Sequence, residues 1–187
     1  MQLYHKMTIA GLERSLPICR VTDSLYIAGF VIFGDPELTV ACATALLEKN
    51  HFDYDYMITA EAKGIPLIHE MARQSGAKKY FLARKAPKLY MTGVMEVSVK
   101  SITTERVQTL YLDKADAAMM RGKKILLVDD VVSTGESLSA LEELVKEAGG
   151  VVSGRCTILA EGQAQDRTDL VYLEKLPVFN KNGEIIG

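Results

Sequence analysis

One stretch constrains this 187-residue chain more than any other. Lys124 leads the apolar run Ile125-Leu126-Leu127-Val128, which ends in two adjacent acids, and Asp129-Asp130-Val131-Val132-Ser133-Thr134-Gly135-Glu136-Ser137 follows without a break. An aliphatic run with no polar alternation is the pattern of a strand buried on both faces of a parallel sheet. We expect that strand to stop at the acids. Residues 133–148 then put Leu138, Leu141, Leu144 and Val145 on one helical face, Gly149-Gly150 closes the helix, and residues 151–159 read as the next strand. Strand, helix and strand make a βαβ unit, which commits the chain to an α/β fold.

The rest of the chain extends the pattern. Asp35-Pro36 is a helix start, with a capping carboxylate and a proline preset for the first helical position, and the helix should run to about Lys49 and end at Asn50. Tyr56-Met57-Ile58 is a short strand ending in Thr59, followed by a polar turn and an amphipathic segment over 65–75 that Gly76 closes; residues 80–83 read as a further strand. Between Lys88 and Leu112, β-branched residues alternate loosely with Lys, Ser and Thr, which suggests extended chain or a mobile hairpin projecting from the main sheet. Residues 1–33 read as an irregular N-terminal piece and Asn182-Gly183 as a C-terminal hairpin turn. The expected architecture is a single domain over 1–187. It is an open, mainly parallel sheet flanked by helices, with a small N-terminal hood (about 1–33), a core (about 34–187) and a projecting flexible hairpin. No repeat or Pro/Gly/Ser linker divides it.

Composition removes several function classes. Twenty-two Lys+Arg against 24 Asp+Glu give a net charge of -2, which argues against binding nucleic acid through a generally basic surface. No stretch approaches the roughly 20 apolar residues of a membrane span, and Glu13-Arg14 interrupts the N-terminal apolar run, so neither a membrane nor a secretory destination is expected and a cytoplasmic one is. Cys19, Cys42 and Cys156 form no C-x-x-C pair and read as buried thiols. His5, His51 and His69 lack ligand spacing and read as surface or packed residues; Walker A and G-x-G-x-x-G sequences are absent, which argues against nucleotide hydrolysis and dinucleotide binding.

In an open α/β sheet, ligands bind beyond the carboxyl ends of the strands, so the polar groups after each apolar run matter most. Asp129 and Asp130 can accept hydrogen bonds from vicinal ribose hydroxyls, while the small residues after them expose N–H groups at a helix N-terminus, where phosphate is favoured. A loop of this length lets the two devices engage both ends of one sugar phosphate. A plainer reading makes Ser133 and Glu136 a capping box, but it leaves the mutually repelling acids unexplained. Two further loops suit anions. In Glu61-Ala62-Lys63-Gly64, Gly64 would let backbone amides approach a ligand, although an ordinary βα turn reads the same. Arg84, Lys85 and Lys88, with Pro87 between them, suit a diphosphate or form a solvated charge run.

On these residues the chain resembles the type I phosphoribosyltransferases. The stretch from Ile125 to Ser137 is similar to their phosphoribosyl-pyrophosphate signature, with Glu136 where the family often has a second glycine; its side chain is expected to turn away from the phosphate. Thr59-Ala60-Glu61-Ala62-Lys63-Gly64-Ile65-Pro66-Leu67 resembles the pyrophosphate loop of the purine branch, and Arg84-Lys85-Ala86-Pro87-Lys88-Leu89 its R-K-x-x-K-L element. With residues 105–112 and Glu161-Gly162, the similarity spans about 56–162. The resemblance implies a purine-salvage pentosyltransferase. It would move ribose 5-phosphate from phosphoribosyl pyrophosphate to a purine base, adenine first and hypoxanthine, guanine or xanthine as alternatives, with Mg²⁺ as cofactor. It also implies a cytoplasmic homodimer without nucleic-acid or membrane partners.

Residue roles follow from the same resemblance. Asp129 and Asp130 are implied as catalytic groups on the ribose hydroxyls, and Val132, Ser133, Thr134, Gly135, Glu136 and Ser137 as the 5-phosphate cradle. Glu61, Ala62, Lys63 and Gly64 are implied as the pyrophosphate loop with Mg²⁺, and Arg84, Lys85 and Lys88 as cations reaching pyrophosphate in a neighbouring subunit. Residues 16–33 would hold the base. Residues 91–106, with Gly93, Lys100 and Arg106, read as a solvent-excluding lid or, more plainly, as a static hairpin packed on the sheet through Val97, Val99 and Ile102; the adenine enzymes' Tyr-x-x-Glu-Tyr-Gly element is Val97-Ser98-Val99-Lys100-Ser101-Ile102 here, and Glu96 or Glu105 stand nearest its glutamate. A sensor related to purine repressors is the rival reading, for which the roughly fifty residues before Tyr56 are short of a DNA-binding domain plus hood.

Overall fold

The computed structural model describes residues 3–100 and 107–186; expectations resting on Ser101, Ile102, Glu105 and Arg106 lie outside the described residues. The chain begins with β1 (Tyr4–Ile9), β2 (Leu12–Arg20) and β3 (Tyr26–Ala28), all antiparallel, so the N-terminal piece is a regular sheet rather than the irregular segment expected. Ala10 and Gly11, with φ of 47° and 81°, join β1 to β2 in the positive-φ pair that matches strand twist, without the Asn-Gly dipeptide that announces such turns. Next comes α1 (Pro36–Lys49), whose first turn is capped as expected: Asp35 Oδ1 accepts from the Leu38 N–H at 3.0 Å.

The parallel core follows with β4 (Tyr56–Ala60), α2 (Gly64–Ser75) and β5 (Phe81–Ala83), Gly76 ending α2 at φ 72°. An antiparallel hairpin of β6 (Val94–Lys100) and β7 (Val107–Asp113) leads into α3 (Lys114–Met120), which Asp113 caps and the sequence reading missed. Then come β8 (Lys124–Val132), α4 (Glu136–Glu147), β9 (Val151–Glu161), a 3-10 turn over Gly162–Asp166, β10 (Val171–Leu176) and β11 (Val178–Phe179).

The five core strands lie in the order β10-β9-β8-β4-β5, all parallel, with β8 at the centre. Ile125, Leu126, Leu127 and Val128 are fully buried because β8 feeds two cores. Leu126 and Val128 pack with α1, α2 and the N-terminal strands, while Ile125 and Leu127 pack with α3, α4 and Leu110 and Leu112 of β7. The hairpin rests on this second core through Met95 and Val97. At the other end, β11 pairs with β3, so the C-terminal hairpin around Gly183 completes the N-terminal sheet. No helix among the described residues is long and apolar enough to cross a membrane.

Two boundaries correct the sequence reading, and both matter for the site. β8 does not stop at the acids; Asp129, Val131 and Val132 still pair with Thr157, Leu159 and Ala160 of β9. Nor does α4 begin at Ser133: its N-cap is Gly135, at φ 79° and with no side-chain cap hydrogen bond, so Ser133 is not the residue that caps the helix.

Candidate active site

The C-terminal ends of β4 and β8, the start of α2, the loop after β5 and the inner strand of the hairpin converge on one cleft of about 320 Å³. Asp129, Asp130, Glu61, Ala62, Lys63, Lys85 and Ser137 line it, joined by Gln108 and Leu110. A smaller hollow of about 50 Å³ adjoins it, bordered by Asp129, Val132, Ser133, Thr134, Gly135 and Glu136. Val132 is buried and belongs to the strand; Ser133 and Thr134 are exposed and form the loop. The first-turn amides of α4 meet this hollow without a side-chain cap, the arrangement in which a helix N-terminus receives an anion.

The acids are an unbalanced pair. Asp130 is buried, with the Lys63 ammonium 2.9 Å from its Oδ2. That ammonium is misaligned as a donor, so Oδ2 has a charge partner but no hydrogen bond among the described residues. Asp129 accepts from the Asp130 N–H at 2.9 Å, yet loss of water and then the neighbouring Asp130 charge push its carboxyl well above the usual carboxylate range. The buried Thr59 hydroxyl also lacks a partner among the described residues. Gly64 is required beside it, since a Cβ there would collide with Thr59 Oγ1 and lie 3.6 Å from Asp129 Oδ1. Unsatisfied buried polar atoms cost free energy unless a ligand completes them, and two of them, Asp130 Oδ2 and Thr59 Oγ1, lie at the strand ends beside this cleft.

The other anion-suited loops are brought in unevenly. Glu61 is an anchor: Oε1 lies 3.2 Å from Arg84 Nη2, and Oε2 accepts from the Lys85 N–H at 2.9 Å, tying the two loops together. Lys85 reaches the cleft, whereas Arg84 and Lys88 do not line it. Lys63 also donates to the Phe30 carbonyl at 3.5 Å, joining the segment after β3 to Asp130. Burial lifts the Glu161 carboxyl above its usual value, with Lys63 opposing the rise. Gln108 Nε2 donates to Ser137 Oγ at 3.4 Å, linking hairpin to loop, and had no sequence signal of its own. His5, His51 and His69 pack against Phe179, Phe52 and Tyr80, away from the cleft. Cys42 and Cys156 are buried thiols pushed up to about 12 by burial, while Cys19 is only partly buried. Among the described residues, no three His, Cys, Asp or Glu side chains cluster as a metal site.

A parallel sheet whose strand ends present a carboxylate pair, an uncapped helix start and two cations to one cleft defines an α/β protein built for a sugar phosphate. The phosphoribosyl transferase domain matches residues 38–180, and the chain belongs to that family. The hypoxanthine/guanine phosphoribosyltransferase of Methanothermococcus okinawensis is 27% identical over 177 residues, covering 89% of this chain and 92% of that one. The adenine phosphoribosyltransferase of Kosmotoga olearia is 31% identical over 122 residues, covering 64% and 68%. In fold, the chain is similar to the crystal structure of adenine phosphoribosyltransferase from Rhodothermus marinus, with a TM-score of 0.65 at 22% identity over 92% of this chain and 94% of that one.

Proposed function

We propose that this chain is a purine phosphoribosyltransferase of purine salvage, transferring ribose 5-phosphate from phosphoribosyl pyrophosphate to a purine base. The observation that carries the reading is the end of β8, where Asp129, pushed up by burial, and Asp130, with one buried oxygen lacking a hydrogen bond among the described residues, adjoin the uncapped start of α4. In the reaction the bond from the anomeric carbon to pyrophosphate breaks, a bond to a base nitrogen forms as the base loses its ring N–H proton to pyrophosphate or water, and positive charge develops on the sugar between these events. Asp129 and Asp130 hold the ribose hydroxyls and oppose that charge, Ser133, Thr134, Gly135 and Ser137 hold the 5-phosphate, and Lys63 and Lys85 face the departing pyrophosphate.

Two carboxylates beside a cleft, with substrate oxygens making up the remainder, are the donor set that Mg²⁺ takes. Magnesium, which Asp129 and Asp130 would hold, would offset the charge of the leaving pyrophosphate. The hairpin of β6 and β7 acts as the lid that excludes water. The active form is a cytoplasmic homodimer. Arg84 and the Lys85 amide are held by their own Glu61, so Lys88, outside its own cleft and followed by the exposed Leu89 and Tyr90, is the cation left for a neighbouring site.

Adenine is the first reading of the base. Hypoxanthine or guanine is the second, favoured by the relative from Methanothermococcus okinawensis that aligns over most of the chain. Pyrophosphate release measured with each purine, phosphoribosyl pyrophosphate and Mg²⁺ separates the readings: release with one base names the substrate. Tight binding of phosphoribosyl pyrophosphate without release for any purine would point to a sensor, and no binding at all would sink the assignment.

A further inference from the structure

The loop proposed to hold the 5-phosphate has no cation of its own. Between positions 129 and 145 the sequence has acids at 129, 130, 136, 142 and 143 and neither Lys nor Arg. Amides at a helix start bind phosphate, and a side-chain cation brought from elsewhere in the fold would add to them.

Among the described residues, the fold brings the Arg167 guanidinium to that loop. Arg167 follows the 3-10 turn over Gly162–Asp166, where Ala164 and Leu170 anchor the backbone on either side. Its Nε and Nη2 donate to Asp169 Oδ1 and Oδ2 at 2.9 and 2.8 Å, a fork that fixes the plane of the group and leaves Nη1 outside the pair. Nη1 stands over Gly135, 2.9 Å from where a Cβ on that residue would lie, which is the N-cap of α4. Asp169 is braced in turn. Arg155 Nη1 lies 3.3 Å from Asp169 Oδ2, and Arg155 Nε donates to Glu142 Oε1 of α4 at 2.6 Å. Alternating charges therefore run from the body of α4 to Arg167, whose Nη1 stands at the Gly135 N-cap, next to the residues that border the hollow without being one of them. The Arg167 side chain keeps 28% of its exposure, so it is held without being sealed from a ligand.

We infer that Arg167 is a binding residue for the phosphate monoester, the group through which the site tells a phosphorylated sugar from a bare nucleoside. The inference rests on the phosphoribosyltransferase reading and adds to it a residue outside the loop and outside the stretches that carried the sequence resemblance. Gly135 then serves twice: it supplies the positive φ, and it leaves room for the guanidinium.

The test is calorimetric binding of adenosine, inosine and guanosine monophosphates and their parent nucleosides to the wild type, Arg167→Gln and Arg167→Lys, with KM for phosphoribosyl pyrophosphate and for the base measured beside it. Arg167→Gln should weaken the monophosphate by about 10- to 100-fold, as loss of one charge-assisted hydrogen bond does, raise KM for phosphoribosyl pyrophosphate and leave the nucleoside and the base unmoved. Arg167→Lys should recover part of the loss, since a point charge binds phosphate without the fork. Unchanged monophosphate affinity in Arg167→Gln overturns the inference, and so does an equal loss for nucleoside and monophosphate, the mark of an arginine that only braces the loop. Should the wild type bind neither a monophosphate nor phosphoribosyl pyrophosphate, the underlying reading fails first; wild-type binding lost in Asp130→Asn but kept in Arg167→Gln would leave that reading standing and remove only Arg167.

Discussion

The two ends of β8 differ sharply in how their polar groups are satisfied. At the Lys124 end the account closes: the Lys124 N–H donates to Asp55 Oδ2 at 2.8 Å, the Asp55 N–H donates to the Lys124 carbonyl at 2.8 Å, and the ammonium lies 2.6 Å from Asp53. That ammonium holds the exposed Asp53 carboxyl below its usual range. At the other end Asp129 is driven the opposite way, and both Asp130 Oδ2 and Thr59 Oγ1 are buried without a hydrogen bond among the described residues. One strand thus carries a finished end that ties down structure and an unfinished end that a ligand completes. Strain of this second kind is what functional sites retain at the expense of stability.

The largest expected effect tests the unfinished end directly. Asp130→Asn should lower kcat/KM by about 10²–10³ while preserving the melting temperature, because an amide cannot oppose a cationic sugar. Unchanged kcat/KM would place the chemistry elsewhere.

A smaller effect, of opposite sign on stability, sharpens the comparison. Asp129 has a folded pKa raised above its unfolded value, so the native state bears a cost at pH above the folded pKa, and that cost fades as pH falls through it. Asp129→Asn should therefore stabilise the unliganded protein at neutral pH by on the order of 1–2 kcal/mol, shrinking toward zero in acid, as urea denaturation across pH would read. Stabilisation that grows on acidification would reverse the electrostatic account.

The smallest effect belongs to the finished end. Lys124→Met paired with Asp53→Asn should leave turnover intact and shift the melting temperature little, with any difference disappearing in high salt, since the ion pair is exposed. A large loss of activity there would erase the contrast.

Much of the scaffold was legible because its signals are local. The Asp35-Pro36 start, the Gly76 stop, the aliphatic run of β8 and the apolar face of α4 each depend on neighbours a few residues away. The errors came where a distant partner decided. Polarity suggested that β8 ends at Asp129, but its ladder with β9 holds through Val132, since backbone pairing does not require apolar side chains. The N-terminal strands looked irregular because β3 is completed by β11 from the far end of the chain.

The site divides along the same line. By itself, the sequence determined that acids, small loop residues and cations would follow particular strands, because strand ends and helix starts are encoded in short-range pattern. Only the tertiary structure decided which polar groups meet: Lys63 goes to Asp130, Glu61 to Arg84, Gln108 to Ser137, and Arg167 to the Gly135 N-cap of α4. Electrostatic partnership depends on through-space distance and lost hydration, and crossover connections make both independent of spacing along the chain.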